Sequence, residues 1–195
     1  MHRAKAQTLI ELIAAVAVIG IGLFAATSIV FSNLNLSDRD SDSVVSTNLM
    51  REVLELAKNK RDSNWLAGVA FDTGMYSGTD YSATPIWNGI AGTYSFDFGP
   101  NDFSDVKTKI IRSANASALD FLENYQPGYT GATTTFSRIV TFNGICANGS
   151  IVGAGVNCGN VGSTKIGIRV MAQIRNTRKG VTKDSTMYED LYDWR

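Results

Sequence analysis

The chain has 195 residues, 44% of them apolar, and its 18 basic side chains are balanced by 18 acidic ones. That length accommodates one ordinary domain and a further segment. The even charge excludes the basic footprint of a nucleic-acid-binding body, and the single histidine, His2, leaves the rest of the chain without the means for Ser-His-Asp or Cys-His chemistry.

The first element is an apolar helix. From Leu12 to Phe31 the run "LIAAVAVIGIGLFAATSIVF" holds 20 residues with no charge and no proline, enough for a helix to cross a hydrocarbon layer of about 30 Å. A buried core helix has the same composition, but soluble helices are rarely apolar on every side for this length. His2, Arg3 and Lys5 precede the run and "SDRDSDS" follows it, so the positive-inside rule keeps the N-terminus cytoplasmic and exports the rest.

Glu11 stands at the head of this run. A cleaved secretory signal would share the basic start, and "AVA" at Ala15 to Ala17 resembles its cleavage site. The apolar stretch continues well past that point, however, and Glu11 would enter a signal core as an unpaired charge. A carboxylate at the centre of a span costs about 2.5–3.5 kcal/mol on insertion scales, and less near its edge. Glu11 therefore needs a partner or a purpose.

A short basic leader, a small residue, then "QTLIEL" running into an apolar helix resembles the class III signal of type IV pilins and pseudopilins. The resemblance places a cut between Ala6 and Gln7, made by a prepilin peptidase that also methylates the new amino terminus, so that Gln7 becomes the first residue and Glu11 the fifth. Ala6 stands where glycine is commoner and Gln7 where phenylalanine is commoner. The freed Gln7 ammonium can pair with Glu11 of its own helix, one turn on. Alternatively it can satisfy Glu11 of the subunit added before it, which would set the axial stagger of packed helices in a weakly screening medium. Many pilins carry a proline midway along this helix, whereas the first here is Pro85. Gly20, Gly22 and the Thr27–Ser28 pair are its weaker points.

After the span, Val45, Leu49, Val53 and Leu56 share one helical face, with Met50, Leu54 and Ala57 beside them. This stripe predicts an amphipathic continuation that docks on a globular head. Lys58, Lys60 and Arg61 are expected in the last turns, where cations complement the helix dipole. Asp38, Asp40 and Asp42 open like a calcium loop, but Ser43 and Leu49 occupy the positions where an EF-hand has glycine and glutamate. A solvated stretch of helix is the better reading.

From Gly68 the chain turns to Gly, Ser, Thr and aromatic residues, which predicts loops and short strands. Tyr94, Phe96 and Phe98 alternate with polar residues at the period of a half-buried strand. In "DVKTKIIRSANASALDFLENY" the spacing of Val106, Ile110 and Ala114 predicts a helix. In "TKIGIRVMAQIR", Ile166, Ile168, Val170, Ala172 and Ile174 fall on one face and Lys165, Arg169, Gln173 and Arg175 on the other. With "TTTFSRIVTF" before it and "VTKDSTMYE" after it, this strand predicts an antiparallel sheet of about four strands packed on the exported half of the helix. The fold class is α+β, and the resemblance implies the same pilin architecture.

Cys146 and Cys158 lie in the glycine-rich stretch "CANGSIVGAGVNC". Outside the cytoplasm such a pair is most simply a disulfide; free thiols are the alternative, and two cysteines without a nearby histidine make only half a zinc site. Asp120 with Glu123, or Glu189 with Asp193, are the acid pairs a glycosidase could use, but surface carboxylates are common and no enzyme is expected. Trp65, Trp87 and Trp194 either pack the head or form a surface-binding platform.

The chain thus divides into a leader (1–6), a membrane-spanning and filament-core helix (7–31), its amphipathic continuation (32–63) and a β-rich head (64–195). The resemblance implies a structural filament subunit, first a single-pass protein of the cytoplasmic membrane and then extracellular, on a pilus at the cell surface. Implied partners are copies of itself, other pilins, prepilin peptidase, the lipid bilayer, and a membrane platform with an assembly ATPase. No cofactor, metal or nucleic acid is expected. A minor pilin or a pseudopilin of a secretion or DNA-uptake system, or a tethered adhesin, are the alternatives.

Overall fold

The computed structural model describes residues 3–76, 82–88, 92–100, 102–113, 121–128, 131–153 and 155–193. They form one helix and eight strands, an α+β arrangement of a long N-terminal helix and an antiparallel sheet. Two compact units are separable, Met1–Val44 and Val45–Arg195.

The helix α1 runs without a break over Arg3–Leu66. Its first part lacks proline and is rich in Ala, Leu, Ile and Val, so the backbone hydrogen bonds continue uninterrupted. Thr27, a polar residue within the apolar stretch, donates its hydroxyl to Phe24 O at 2.9 Å. At the other end Gly68 takes a left-handed φ of 71°, where the absence of a Cβ removes the steric penalty. The amides of Gly68 and Val69 return to the carbonyls of Trp65 and Asn64, each at 3.1 Å. This Schellman closure satisfies carbonyls that the helix end would leave open. It lies beyond Lys58, Lys60 and Arg61, and the last turn carries no basic residue. The expectation that these cations cap the helix dipole is therefore corrected. Lys58 instead bridges Glu55 at 3.1 Å and Glu189 at 3.0 Å, and Arg61 lies 4.6 Å over the Trp65 ring.

Within the second unit, Leu49, Met50, Val53, Leu54 and Ala57 are buried and Val45 packs beside them. They meet the inward face of the sheet: Ala83, Ile110, Phe136, Val140, Phe142, Ile168, Val170, Ala172, Ile174 and Leu191. The strands are β1 (Ser82–Asn88), β2 (Thr93–Asp97), β3 (Lys109–Ser113), β4 (Phe121–Asn124), β5 (Gly131–Cys146), β6 (Ile151–Val152), β7 (Lys165–Arg178) and β8 (Val181–Tyr192).

The long strand β5 is the centre of the sheet. One edge pairs with β7 from Phe136 to Cys146, and β7 pairs in turn with β8 through the tight turn at Lys179–Gly180. The opposite edge is divided among three short strands: β3 takes Gly131–Ser137, β1 takes Val140–Thr141 and β6 takes Gly144–Ile145. β4 extends β3 and β2 extends β1.

Two expectations are corrected. The sheet has eight strands rather than about four, because the chain outside β5, β7 and β8 supplies short strands that pair with β5 or with one another. Residues 109–113 and 121–124 are strands, not helix; Ala114 and Asp120 lie outside the described residues. Ile110 and Ile111 are adjacent and both buried, which suits a strand covered on both faces and not one side of a helix. Among the described residues of the segment the helical content is a single 3-10 turn, Val106–Thr108, with Asp105 accepting from the Lys107 amide at 2.8 Å. The alternation in β7 holds from Ile168 to Ile174, while Ile166 at the strand's start remains 38% exposed.

Candidate functional site

The residues singled out at the N-terminus share one helix. Ala6, Gln7 and Glu11 all lie in α1, and the separation of Gln7 from Glu11 is one helical turn. Glu11 is solvent-exposed and is the only ionisable side chain between Lys5 and Asp38. Around it the apolar side chains are uncovered on every side of the helix. Leu12, Ile13, Val16, Ile19 and Leu23 all stand out, and Phe24 reaches 79% exposure. The most apolar window has a mean hydropathy of 2.5, with none of it buried by the rest of the chain. A surface this apolar, at this length, calls for lipid or another protein to cover it. The carboxylate would then sit in a medium where one opposite charge is worth far more than in water.

In the second unit the most deeply buried cation is Arg138 on β5, 1% exposed. Its Nη1 donates to Glu52 Oε2 at 2.6 Å and its Nε to Asn124 Oδ1 at 2.8 Å. Asn124 Nδ2 donates to the carbonyls of Lys107, Thr108 and Arg138. The guanidinium thus ties the helix to β5 and β4 at once. Nearby, Glu123 keeps one carboxyl oxygen buried and unbonded among the described residues. Burial first, and then the charge of Glu52, push its carboxyl above the usual range, against a weaker pull from Arg138. Sequence reasoning missed Arg138, although a signal was present: in "FSRIVTF" it keeps the even-numbered register of Phe136, Val140 and Phe142, all of which face the helix.

Cys146 and Cys158 are joined in a disulfide with their Cα atoms 5.5 Å apart, which closes the 147–157 segment onto the end of β5. Asn64 binds the loop after the helix by donating to Phe71 O and Thr73 O, both at 2.9 Å. Lys165 pairs with Asp72 and lies 4.8 Å from the Tyr76 ring centre.

Of the acid pairs, Glu189 is held by Lys58, and Asp120 lies outside the described residues. Among the described residues no cluster of His, Cys, Asp or Glu is placed to hold a metal ion. Of the tryptophans, Trp65 packs against the core, the Trp87 and Tyr94 ring centres lie 4.7 Å apart, and Trp194 lies outside the described residues.

Residues 1–27 match the family model described as the prokaryotic N-terminal methylation motif. That motif is the type IV pilin and pseudopilin signal, and it falls on the same turns of α1 that carry Ala6, Gln7, Glu11 and the uncovered apolar surface. The match supports a place for the chain among type IV pilins and pseudopilins, as a membrane-anchored prepilin that is processed by prepilin peptidase and assembles with other pilins. No curated protein and no solved structure matches the chain.

Proposed function

We propose that this protein is the structural subunit of an extracellular type IV pilus-like filament. Residues 1–6 are the leader, removed after Ala6, and Gln7 becomes the methylated first residue. Residues 7–31 anchor the subunit in the membrane and later pack in the filament core, residues 32–63 continue the helix, and residues 64–195 are the exported head. Each incoming Gln7 ammonium pairs with Glu11 of a neighbour already in place. A membrane platform and an assembly ATPase drive the transfer from bilayer to filament. The role is structural rather than catalytic.

The observation that carries this reading is the coincidence of three features in one stretch: the methylation motif over residues 1–27, an apolar helical surface the chain itself leaves uncovered, and a lone carboxylate one turn beyond Gln7. Lipid alone accounts for the apolar surface and leaves Glu11 only the ammonium of its own helix, whereas a polymer covers the surface and offers a neighbour's ammonium as well.

The test is Glu11→Ala in cells that assemble the filament, scored by electron microscopy of sheared surface material. The expected outcome is loss of filaments with normal membrane levels of the processed protein. Undiminished filaments would overturn the proposal. Mass spectrometry of the mature N-terminus checks cleavage and methylation independently. The abundance of the protein in sheared filaments separates a main subunit from a minor pilin or pseudopilin.

A further inference from the structure

The turn that joins β5 to β6 carries Asn148-Gly149-Ser150, the acceptor pattern for N-linked glycosylation. The same pattern occurs at Asn35-Leu36-Ser37 and Asn115-Ala116-Ser117. Three matches in a chain rich in Asn, Ser and Thr mean little by themselves, so local geometry has to discriminate among them. Asn115 lies outside the described residues. Asn35 lies inside α1, where the amide of Ser37 is committed to the helix ladder.

Asn148 lies outside any helix, exposed at the tip of a tight hairpin. The Gly149 amide donates to Cys146 O at 2.9 Å and the Cys146 amide to Ser150 O at 2.9 Å, with Gly149 at a φ of 84° that favours glycine. The Asn148 Oδ1 accepts from the Ser150 amide at 3.0 Å, an Asx turn that links the first and third residues of the pattern. The Asn148 backbone amide donates to Ser163 Oγ at 3.1 Å. Its Nδ2 has only a 3.5 Å contact with Val161 O, at the outer limit of a hydrogen bond. The side chain is therefore fixed through its oxygen while its nitrogen stays accessible. The disulfide from Cys146 to Cys158 holds the base of the turn.

We propose that Asn148 is an N-glycosylation acceptor on the exported head, taking a sugar activated as a pyrophosphate. In the transfer the sugar C1 bonds to Asn148 Nδ2 as its bond to the phosphate oxygen breaks. The pyrophosphate leaves with the electron pair, and Nδ2 gives up one proton to a base on the transferring enzyme. The assignment rests on the reading that the head is exported, because the acceptor must meet the donor on the outer side of the membrane.

The test is peptide mapping of the full-length protein from the cells that make it, following the tryptic fragment 139–165 by mass spectrometry. Protease shaving of intact cells reports export separately. The expected result is a fragment heavier by a glycan, losing that mass in Asn148→Gln and in Ser150→Ala and retaining it in Ser150→Thr, with the disulfide intact in all three. A shaved head whose fragment is unmodified, or carries only the small mass gain of deamidation at Asn148-Gly149, overturns the acceptor assignment and leaves the export reading standing. A glycan confined to the fragments containing Asn35 or Asn115 also overturns it. A head protected from protease in intact cells overturns both.

Discussion

Arg138 and Glu52 meet at 2.6 Å between the sheet and the helix, with the arginine side chain 2% exposed and the glutamate 36%. The pair sits beside the apolar contact between Leu49 and Val53 on α1 and the Phe136–Phe142 face of β5, with Asn124 on the other side of the guanidinium. Because the packing desolvates the guanidinium almost wholly and the carboxylate in part, the value of each lies in being matched. Losing one partner strands the other.

Glu52→Ala is accordingly expected to destabilise the protein by about 2–3 kcal/mol, somewhat below the usual cost of breaking a fully buried pair because Glu52 is partly solvated. Replacing both residues together, Arg138→Met with Glu52→Leu, should cost less than the two single changes summed. Urea unfolding of the four proteins of this cycle, in detergent, gives the coupling directly. Additive costs would show that the pair does not act as a unit.

Glu123 gives the head a pH dependence of definite sign. Its folded carboxyl titrates above its ordinary value of 4.5, chiefly through burial. The folded state therefore holds its proton longer than the unfolded chain does. The resulting stability is complete below the ordinary value and is lost as pH rises through the folded one. Glu123→Gln should remove that decline and be the more stable protein at neutral pH. Thermal melts between mildly acidic and neutral pH test this; parallel curves for the two proteins would refute it.

Two aspartates act in the opposite sense. The hydrogen bonds from Arg175 hold Asp184 below the usual carboxylate range against a smaller effect of burial. Burial raises Asp97, but the bonds from Lys107 and the Gly99 amide together outweigh it and hold Asp97 low. Both contribute stability above the ordinary carboxylate range, lost as pH falls through their folded values. Asp97→Asn should cost about 0.5–1 kcal/mol at neutral pH, the scale of a half-exposed ion pair, and close to nothing at strongly acidic pH. A cost that persists unchanged in acid would point to packing instead.

Reducing the Cys146–Cys158 bond should lower stability by about 3 kcal/mol, the loop-closure value for a loop of roughly this size. The comparison is thermal unfolding with and without reductant, with a Cys146→Ser, Cys158→Ser double variant as control for reductant side effects. Equal melting temperatures would mean that the backbone bonds from Cys146 to Ser150 and from Ala147 to Thr164 already fix the loop.

Gly167→Ala probes the β7–β8 contact. A Cβ at that position would lie 2.7 Å from the Leu191 carbonyl oxygen and 3.0 Å from the Tyr192 ring. The first neighbour is backbone and cannot swing away, so the strands must part. The expected cost is about 1–3 kcal/mol, read as a lower urea midpoint. A midpoint equal to that of the parent would show that the β8 end yields freely.

The elements most legible from sequence were those whose pattern repeats over many residues. The uncharged run from Leu12, the stripe from Leu49 to Ala57 and the alternation from Ile168 to Ile174 each had enough periods to separate helix from strand. Short elements failed that criterion. Val106, Ile110 and Ala114 have a helical spacing, but three residues are too few to establish a period, and the pairing of β3 with β5 overrode the local signal. The same limit concealed Asn124, whose importance comes from carbonyls 14 to 17 residues away. At the N-terminus the reverse held: leader charge, small residue, carboxylate and span length occur close together, so the candidate site was readable before any fold was known.

The division of one β5 edge among three short strands has an architectural corollary. The flank shared with β7 is a single ladder in which any change of length would throw every later pair out of step. The other flank is a mosaic whose tiles are registered independently, each by only a few residues. Hairpins there can lengthen, shrink or be exchanged without disturbing the ladder on the far side. The sheet thus has one wall registered piece by piece and one registered as a whole, both built onto the same strand.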